Sequence, residues 1–536
     1  MGSLQLDLGK LKRFPLRLHI QRALGPDRLE HHRSQCLAVV RTNQRLALRH
    51  RIAVGYQNRM HRGREAKAHD RILARTRHRL DPKSIGRGQL AHIHRGLGKN
   101  PNYSQNHHKN CLHSDSPLHD DFARQAVATG HASILPSQRH RNGAGENHMS
   151  QTSTADTLAL NGGTPVASPS IPFMAPKLHP QDIAAAHAVL ESGMLRAHTN
   201  CAELEKQFAA KSDANFGLTC ANGTCALQLA YEALLNRGDE VIVPAWTYIA
   251  TASMLVARGC KLVFCDSLED TMQVDPADIE KRITPNTKAI AVTHLYGMPV
   301  DIDAIQAIAK KHNLKVIYDC AQSHLASYNG KGIGAFGDAC TYSFYATKNL
   351  GTGEGGLVTV NTEALNREIG LIRSHGESEK YLHTRIGFNY RMNDITGAIG
   401  LSRLQRLEEE TNARRTAADK YDAHFASVDA VETPTRTKGA NAAWHLYSLK
   451  LNLDKVTCTR GEFIKALIAE GVPSAVHYPK SLTDQPAFAD VITDHPPVAR
   501  KLATRVFSIP MHHELSDEQI KQVVDAVTKV ASAFAN

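Results

Sequence analysis

No run of about 18 apolar residues occurs in the 536-residue chain, so no membrane-crossing helix is expected. An apolar stretch near the N-terminus is missing too, and no secretory leader is expected. The ten cysteines, at 36, 111, 201, 220, 225, 260, 265, 320, 340 and 458, show no framework spacing. Several fall inside apolar runs such as "KLVFCD" and "VIYDC", where Cys acts as a small buried hydrophobe. A reduced, cytoplasmic setting is the expectation. The pieces "HHRSQC", "HIH" and "NHHKNC" lack any paired CxxC or HxxxH spacing, so no metal site is expected. The basic charge comes without a recognisable helix-turn-helix or interleaved aromatics, which counts against a nucleic-acid partner.

What charge there is lies unevenly. The chain carries a formal +12. Residues 1–148 hold 27 Lys and Arg against 10 Asp and Glu, with 16 of the 30 histidines. The remainder holds 37 basic against 42 acidic residues and is mildly acidic. The first segment scatters apolar residues without helical or strand period, and tracts such as "KNPNYSQNHHKNC" read as disordered. It is either a basic arm that touches nucleic acid or sequence upstream of the true start. Met149, opening "MSQTSTADTLALNGGTPV", favours the second.

From about residue 180 short apolar runs alternate with helical segments. "FGLTC", "DEVIVP", "KLVFCD", "AIAVTHL", "KVIYDC", "ACTYSFY" and "GLVTVN" read as strands. "HPQDIAAAHAVLESG", "GTCALQLAYEALLN", "IATASMLVARG" and "DAIQAIAKKHN" read as helices. That pattern predicts an α/β fold, a mostly parallel sheet covered on both faces. A long helix is expected over 394–425. Beyond it come a strand "AWHLYSLKL", a helix "RGEFIKALIAEG", a strand "SAVHYP" and a closing helix capped by Ser516 with Gln519. The expected organisation is 1–148 disordered or upstream, 149–400 a large α/β domain, and 401–536 a linking helix with a small α+β domain.

Ligands of open α/β sheets gather at the carboxyl ends of the strands, and four features of this chain fall there. Gly223 and Thr224 open a helix directly after a strand, which suits an anion such as phosphate. Tyr248 follows the strand "DEVIVP" and can stack on a flat ring. Asp319 ends "KVIYD", with Gln322 three residues on, and a buried carboxylate needs a partner. Ser343 precedes Lys348, which is followed by glycines at 351, 353, 355 and 356. A hairpin with a solvated lysine would explain the last stretch alone. Taken together the four ask for an anion, a planar ring, a ring cation and a carbonyl that a lysine can capture. Pyridoxal 5'-phosphate has all four.

The motifs "NGTCALQLA", "GDEVIVPAWTYIAT", "HLYGMPVDIDAI", "VIYDCAQSH", "GDACTYSFYATKNLGTGEGG", "GFNYRMNDITGAIG" and "VHYP" carry a resemblance. Residues 158 to about 534 resemble the DegT/DnrJ/EryC1/StrS family of pyridoxal-phosphate-dependent sugar aminotransferases. The resemblance implies the aspartate-aminotransferase-like fold (type I), and Lys348 as the Schiff-base lysine and proton-shuttling base. It places Asp319 on the pyridine nitrogen, Gln322 on the ring oxygen, and Gly223, Thr224 and Ser343 on the phosphate, with Tyr248 stacked. It implies a homodimer in which Asn389 reaches the phosphate across the subunit interface. The implied reaction moves an amino group, from glutamate, to a keto group of a nucleotide-activated sugar, with C4 of a 4-keto-6-deoxy sugar favoured. A keto-cyclitol is the near alternative substrate, and a DNA-binding regulator the distant alternative function. Where the family has a Gly-rich turn, this chain has "GMLRAHTNCAELE". Leu482 and Thr483 replace a more usual Leu-His.

Overall fold

The computed structural model describes residues 157–492 and 494–536. The expectations for residues 1–148 lie outside the described residues.

Seven strands form the central sheet: β1 (Phe216–Cys220), β2 (Glu240–Pro244), β3 (Lys261–Cys265), β4 (Thr287–Thr293), β5 (Lys315–Asp319), β6 (Ala339–Ser343) and β7 (Gly356–Val360). Their order is β1-β7-β6-β5-β4-β2-β3. β3, β2, β4, β5 and β6 pair in parallel. β7 alone is reversed, antiparallel to both β6 and β1. Six carboxyl ends and the start of β7 therefore share one edge.

The strands are apolar on both faces, as a covered parallel sheet requires. Val241, Val243, Ala289, Ala291 and Ile317 enter one core, while Ile242, Ile290, Val292, Val316 and Tyr318 enter another. That division follows from the two-residue period of a strand. Burying each such Val or Ile contributes about 1.5–3 kcal/mol.

Helices α1 (Pro180–Ser192), α3 (Gly223–Leu234), α4 (Ile249–Arg258) and α5 (Ile302–His312) fall where the periodicity predicts, and α2 (Thr199–Lys211) is a helix that the sequence reading did not name. Gly193 and Gly259 end α1 and α4 in the left-handed region, at φ 69° and 85°, where glycine costs least.

The single long helix expected over 394–425 is two, α6 (Asp394–Leu404) and α7 (Leu407–Phe425). No Gly or Pro marks the break. Tertiary contacts make it: Ser402 and Arg406 both bind the buried carboxylate of Asp182 in α1, at 2.6 and 2.8 Å.

The C-terminal part holds a three-stranded antiparallel sheet, β8 (Val431–Glu432), β9 (Tyr447–Leu451) and β10 (Val506–Ile509). Against it pack α8 (Arg460–Ala469) and α9 (Asp517–Ala533), the latter capped by Ser516 and Gln519. Two strand expectations fail here. "AWHLYSLKL" is extended only from Tyr447, because Ala443 and Leu446 donate their N–H groups to Gly297 and Tyr296 instead. "SAVHYP" forms no strand; Ala475 bridges Ser508 of the sheet, and His477 Nδ1 lies 3.1 Å from the Ser508 hydroxyl.

Leu158, Ala167 and Ile171 lie in the C-terminal core, although sequence order assigns them to the large domain. Glu470, fully buried, holds them there. It accepts from Ala159 N at 2.7 Å, Val166 N at 3.1 Å and Lys529 Nζ at 3.0 Å.

Candidate active site

The loop leaving β1 runs directly onto the ends of β6 and β7. A Cβ on Gly223 would lie 2.6 Å from Ser343 Cβ, and one on Gly356 would lie 2.5 Å from the Asn222 backbone. Glycine is what allows this approach. The cap of α3 is Asn222, which sequence reading passed over. Its Oδ1 accepts from Cys225 N at 2.9 Å. Gly223 and Thr224 donate to no described residue, so the positive end of α3 and the Ser343 hydroxyl face one small space. That arrangement would make a cradle for an anion.

Asp319, 4% exposed, ends β5. Its Oδ2 accepts from Thr251 Oγ1 at 2.7 Å and its Oδ1 from Ala321 N at 3.0 Å. Burial raises its pKa; the Thr251 and Ala321 hydrogen bonds and the nearby Lys348 charge oppose the rise. Lys348 Nζ makes no hydrogen bond or ion pair with any described residue. Burial lowers its pKa to about 8 against the pull of Asp319. A half-buried amine with a depressed pKa is more nucleophilic near neutral pH than a free lysine.

Gln322 is fixed at both ends of its amide. Its Oε1 accepts from Tyr296 N at 2.6 Å and its Nε2 donates to Tyr478 Oη at 3.1 Å. Tyr478 in turn lies 5.9 Å from the ring of Tyr248, tilted by 40°. Tyr248 precedes α4 and is 56% exposed, with ring surface free to stack.

Gly223, Thr224 and Ser343 thus meet, Asp319 and Lys348 interact, and Gln322 joins Tyr248 through Tyr478. Asn389 stands apart. It is exposed, bridges Ser374 and hydrogen-bonds none of the others. Its neighbour Tyr390 accepts from Ala221 N at 2.8 Å, beside the anion cradle.

Three histidines near Lys348 escaped the sequence reading. His324 Nε2 donates to Ser343 O at 2.8 Å, and its Nδ1 has no partner. Burial lowers its pKa to about 3 and that of His477 to about 4, with the Lys348 charge adding to both. His445 is depressed by the same causes and sits 3.2 Å from Asn349 Oδ1. All three imidazoles are thus held neutral and feel the Lys348 charge. The motifs "CAQSH", "AWHLY" and "VHYP" contain them, but only the fold brings them together.

Among the described residues one grouping of metal-donor side chains occurs, His179, Glu410 and His513, within 4.8 Å of one another. Arg403 and Arg406 lie 3.7 Å from Glu410 and oppose a cation there.

The model of the DegT/DnrJ/EryC1/StrS aminotransferase family matches residues 176–528. The chain belongs to that family. It is 40% identical over 328 residues, 61% of this chain and 87% of the relative, to the UDP-N-acetyl-3-dehydro-alpha-D-glucosamine 3-aminotransferase of Acidithiobacillus ferrooxidans. The DesV structure from S. venezuelae, in complex with a ketimine intermediate, matches with TM-score 0.65 and 33% identity, over 68% of this chain and 99% of that one. The PLP form of a sugar aminotransferase from Streptococcus pneumoniae, Spr1654, matches with TM-score 0.64 and 26% identity, over 68% and 99%. The protein is an aminotransferase, and its cofactor is pyridoxal 5'-phosphate. The donors present fit that cofactor: an anion cradle closed by glycine, a buried carboxylate, an unpartnered amine and an exposed aromatic face.

Proposed function

We propose that the enzyme transfers an amino group from glutamate to a keto group on a nucleotide-activated sugar. The observation that carries this reading is the unpartnered amine of Lys348 beside the buried carboxylate of Asp319, in a chain of this family. Gly223 and Thr224 N–H and the Ser343 hydroxyl would hold the cofactor phosphate. Asp319 would hold the pyridine nitrogen, Gln322 the ring oxygen, and Tyr248 would cover one ring face. When bound, the cofactor supplies an electron sink for the carbanion that amino transfer passes through. Lys348 Nζ would hold the cofactor at rest and, once free of it, would move a proton first from the donor carbon to the cofactor and then from the cofactor to the sugar carbon that receives the amine. Its pKa of about 8 suits both removal and return of a proton near neutral pH. Asn389 would complete the phosphate site of a second copy, making the enzyme a homodimer. Free, mostly buried cysteines among the described residues fit a cytoplasmic setting, and no described helix is long and apolar enough to cross a membrane.

The family motifs favoured C4 of the sugar, whereas the Acidithiobacillus relative is named for position 3. Position 3 of a UDP-linked 3-keto amino sugar is the first choice for this chain. The test incubates holoenzyme and glutamate with a UDP-linked 3-keto sugar, a dTDP-linked 4-keto-6-deoxy sugar and a keto-cyclitol, and detects amine by mass spectrometry. Amine on either nucleotide sugar supports the reading; amine on the cyclitol alone would replace it.

A further inference from the structure

Behind Asp319 lies a chain of hydroxyls, two of them within the motif "GDEVIVPAWTYIAT". Thr247 follows β2, Thr251 lies in the first turn of α4, and Thr293 ends β4 directly opposite Asp319 in the sheet register. All three are buried, between 0% and 5% exposed. Thr247 Oγ1 and Thr293 Oγ1 are 2.7 Å apart, and each lies 3.3 Å from Thr251 Oγ1. Thr251 Oγ1 is 2.7 Å from Asp319 Oδ2. The hydroxyl of Tyr231 donates to Thr251 O at 3.0 Å and fixes that turn.

The direction of this chain follows from chemistry. An ionised carboxylate only accepts, so Thr251 must donate to Asp319. The Thr251 oxygen is then left to accept from Thr247 or Thr293. Every proton points toward the carboxylate, and such chains strengthen one another in a low-dielectric interior. We propose that Thr251, backed by Thr293 and Thr247, is a positioning residue that keeps Asp319 ionised and fixes which carboxylate lone pairs face the cofactor nitrogen. This rests on the reading of Asp319 given above. The interior around Asp319 offers little else. Lys348 is the charged group that faces it, while Tyr231, Cys320 and Tyr478 face it as neutral groups. Without the Thr251 hydroxyl one carboxylate oxygen keeps no hydrogen-bond donor from the described residues, and burial then favours the protonated acid. A protonated Asp319 cannot hold a proton on the pyridine nitrogen.

The experiment compares Thr251→Val, Thr251→Ser, Thr293→Val and Asp319→Asn as holoenzymes reconstituted with pyridoxal 5'-phosphate. The readouts are turnover, KM for glutamate, and the pH at which the cofactor's visible band changes. Thr251→Val should lower turnover about ten- to a hundredfold, as loss of a hydrogen bond to a charged group does, with KM within about twofold. Its spectral transition should move to higher pH, because a ring lacking the nitrogen proton withdraws less from the lysine-bound nitrogen. Thr251→Ser should restore both, and Thr293→Val should give a smaller change in the same direction. A wild-type transition and turnover in Thr251→Val, beside a slowed Asp319→Asn, would overturn this inference alone. An unslowed Asp319→Asn would overturn the reading of the site and this inference with it. Should Thr251→Val fail to fold, a wild-type transition in Thr293→Val would overturn the relay.

Discussion

The carboxylate of Glu470 accepts a hydrogen bond from the backbone of Ala159, 311 residues earlier, at 2.7 Å. With Val166 N and Lys529 Nζ on its second oxygen, it closes the 157–171 segment onto the C-terminal core. Glu470→Ala would leave two backbone donors unpaired and remove the charge partner of the mostly buried Lys529 ammonium, which would keep only Thr164 O at 2.9 Å. The expected cost is about 3–5 kcal/mol, read as a lower midpoint in urea unfolding. A loss under about 1 kcal/mol would mean that water replaces the carboxylate and the clasp is incidental.

The same contacts set where the chain can be shortened. A protein starting at Met149 keeps every described contact and should match the full chain in cofactor binding and turnover. One starting at 172 loses Leu158, Ala167 and Ile171 from the core and should melt earlier. Differential scanning calorimetry of the three lengths checks this. A Met149 chain that misfolds would show that residues 1–148 support the fold.

The half-buried amine of Lys348 predicts a pH dependence in the cofactor-free protein. Its folded pKa is about 8 against an ordinary 10.5. Between those values the unfolded chain binds the extra proton, so stability rises with pH across that window. Below pH 8 the penalty is complete, up to roughly 3 kcal/mol at 1.36 kcal/mol per unit. Lys348→Met should therefore be the more stable apoprotein at pH 7, with the gap closing toward pH 10.5. A gap that stays constant from pH 7 to 10.5 would mean that the amine is hydrated.

Gly223→Ala places a methyl 2.6 Å from Ser343 Cβ. The anion cradle must open, and cofactor affinity should fall at least about tenfold, at a stability cost of about 1–3 kcal/mol. Gly461→Ala, in the first turn of α8 where a Cβ meets nothing closer than 3.9 Å, should leave both nearly unchanged. Equal effects at the two positions would remove the case for close approach. Fluorescence titration of the apoproteins with pyridoxal 5'-phosphate measures this.

The sheet was legible because apolar runs of five to seven residues, bounded by glycine and polar turns, admit few other structures. The strand-end positions of Asp319 and Ser343, and of Lys348 just beyond, were legible because each ends or follows such a run. What escaped notice depends on partners far away in sequence. His445 reads as part of a strand until Ala443 and Leu446 spend their N–H groups on the 296–297 loop. Thr251 reads as one more threonine in a helix until β5 brings Asp319 within 2.7 Å. The break between α6 and α7 has no local signal, since Asp182 causes it from more than 200 residues away. The 157–171 segment looks like an approach to the first helix, and only Glu470 assigns it elsewhere.

The central claim is that Lys348 is the residue that captures the cofactor's aldehyde. Treating the holoenzyme with borohydride reduces the C=N bond and fixes the cofactor to its lysine, and peptide mass spectrometry then locates it. The account predicts a single pyridoxyl-phosphate adduct on the peptide containing Lys348, with none in Lys348→Met. An adduct on another lysine, such as the exposed Lys331 or Lys480, with Lys348 unmodified, would contradict it.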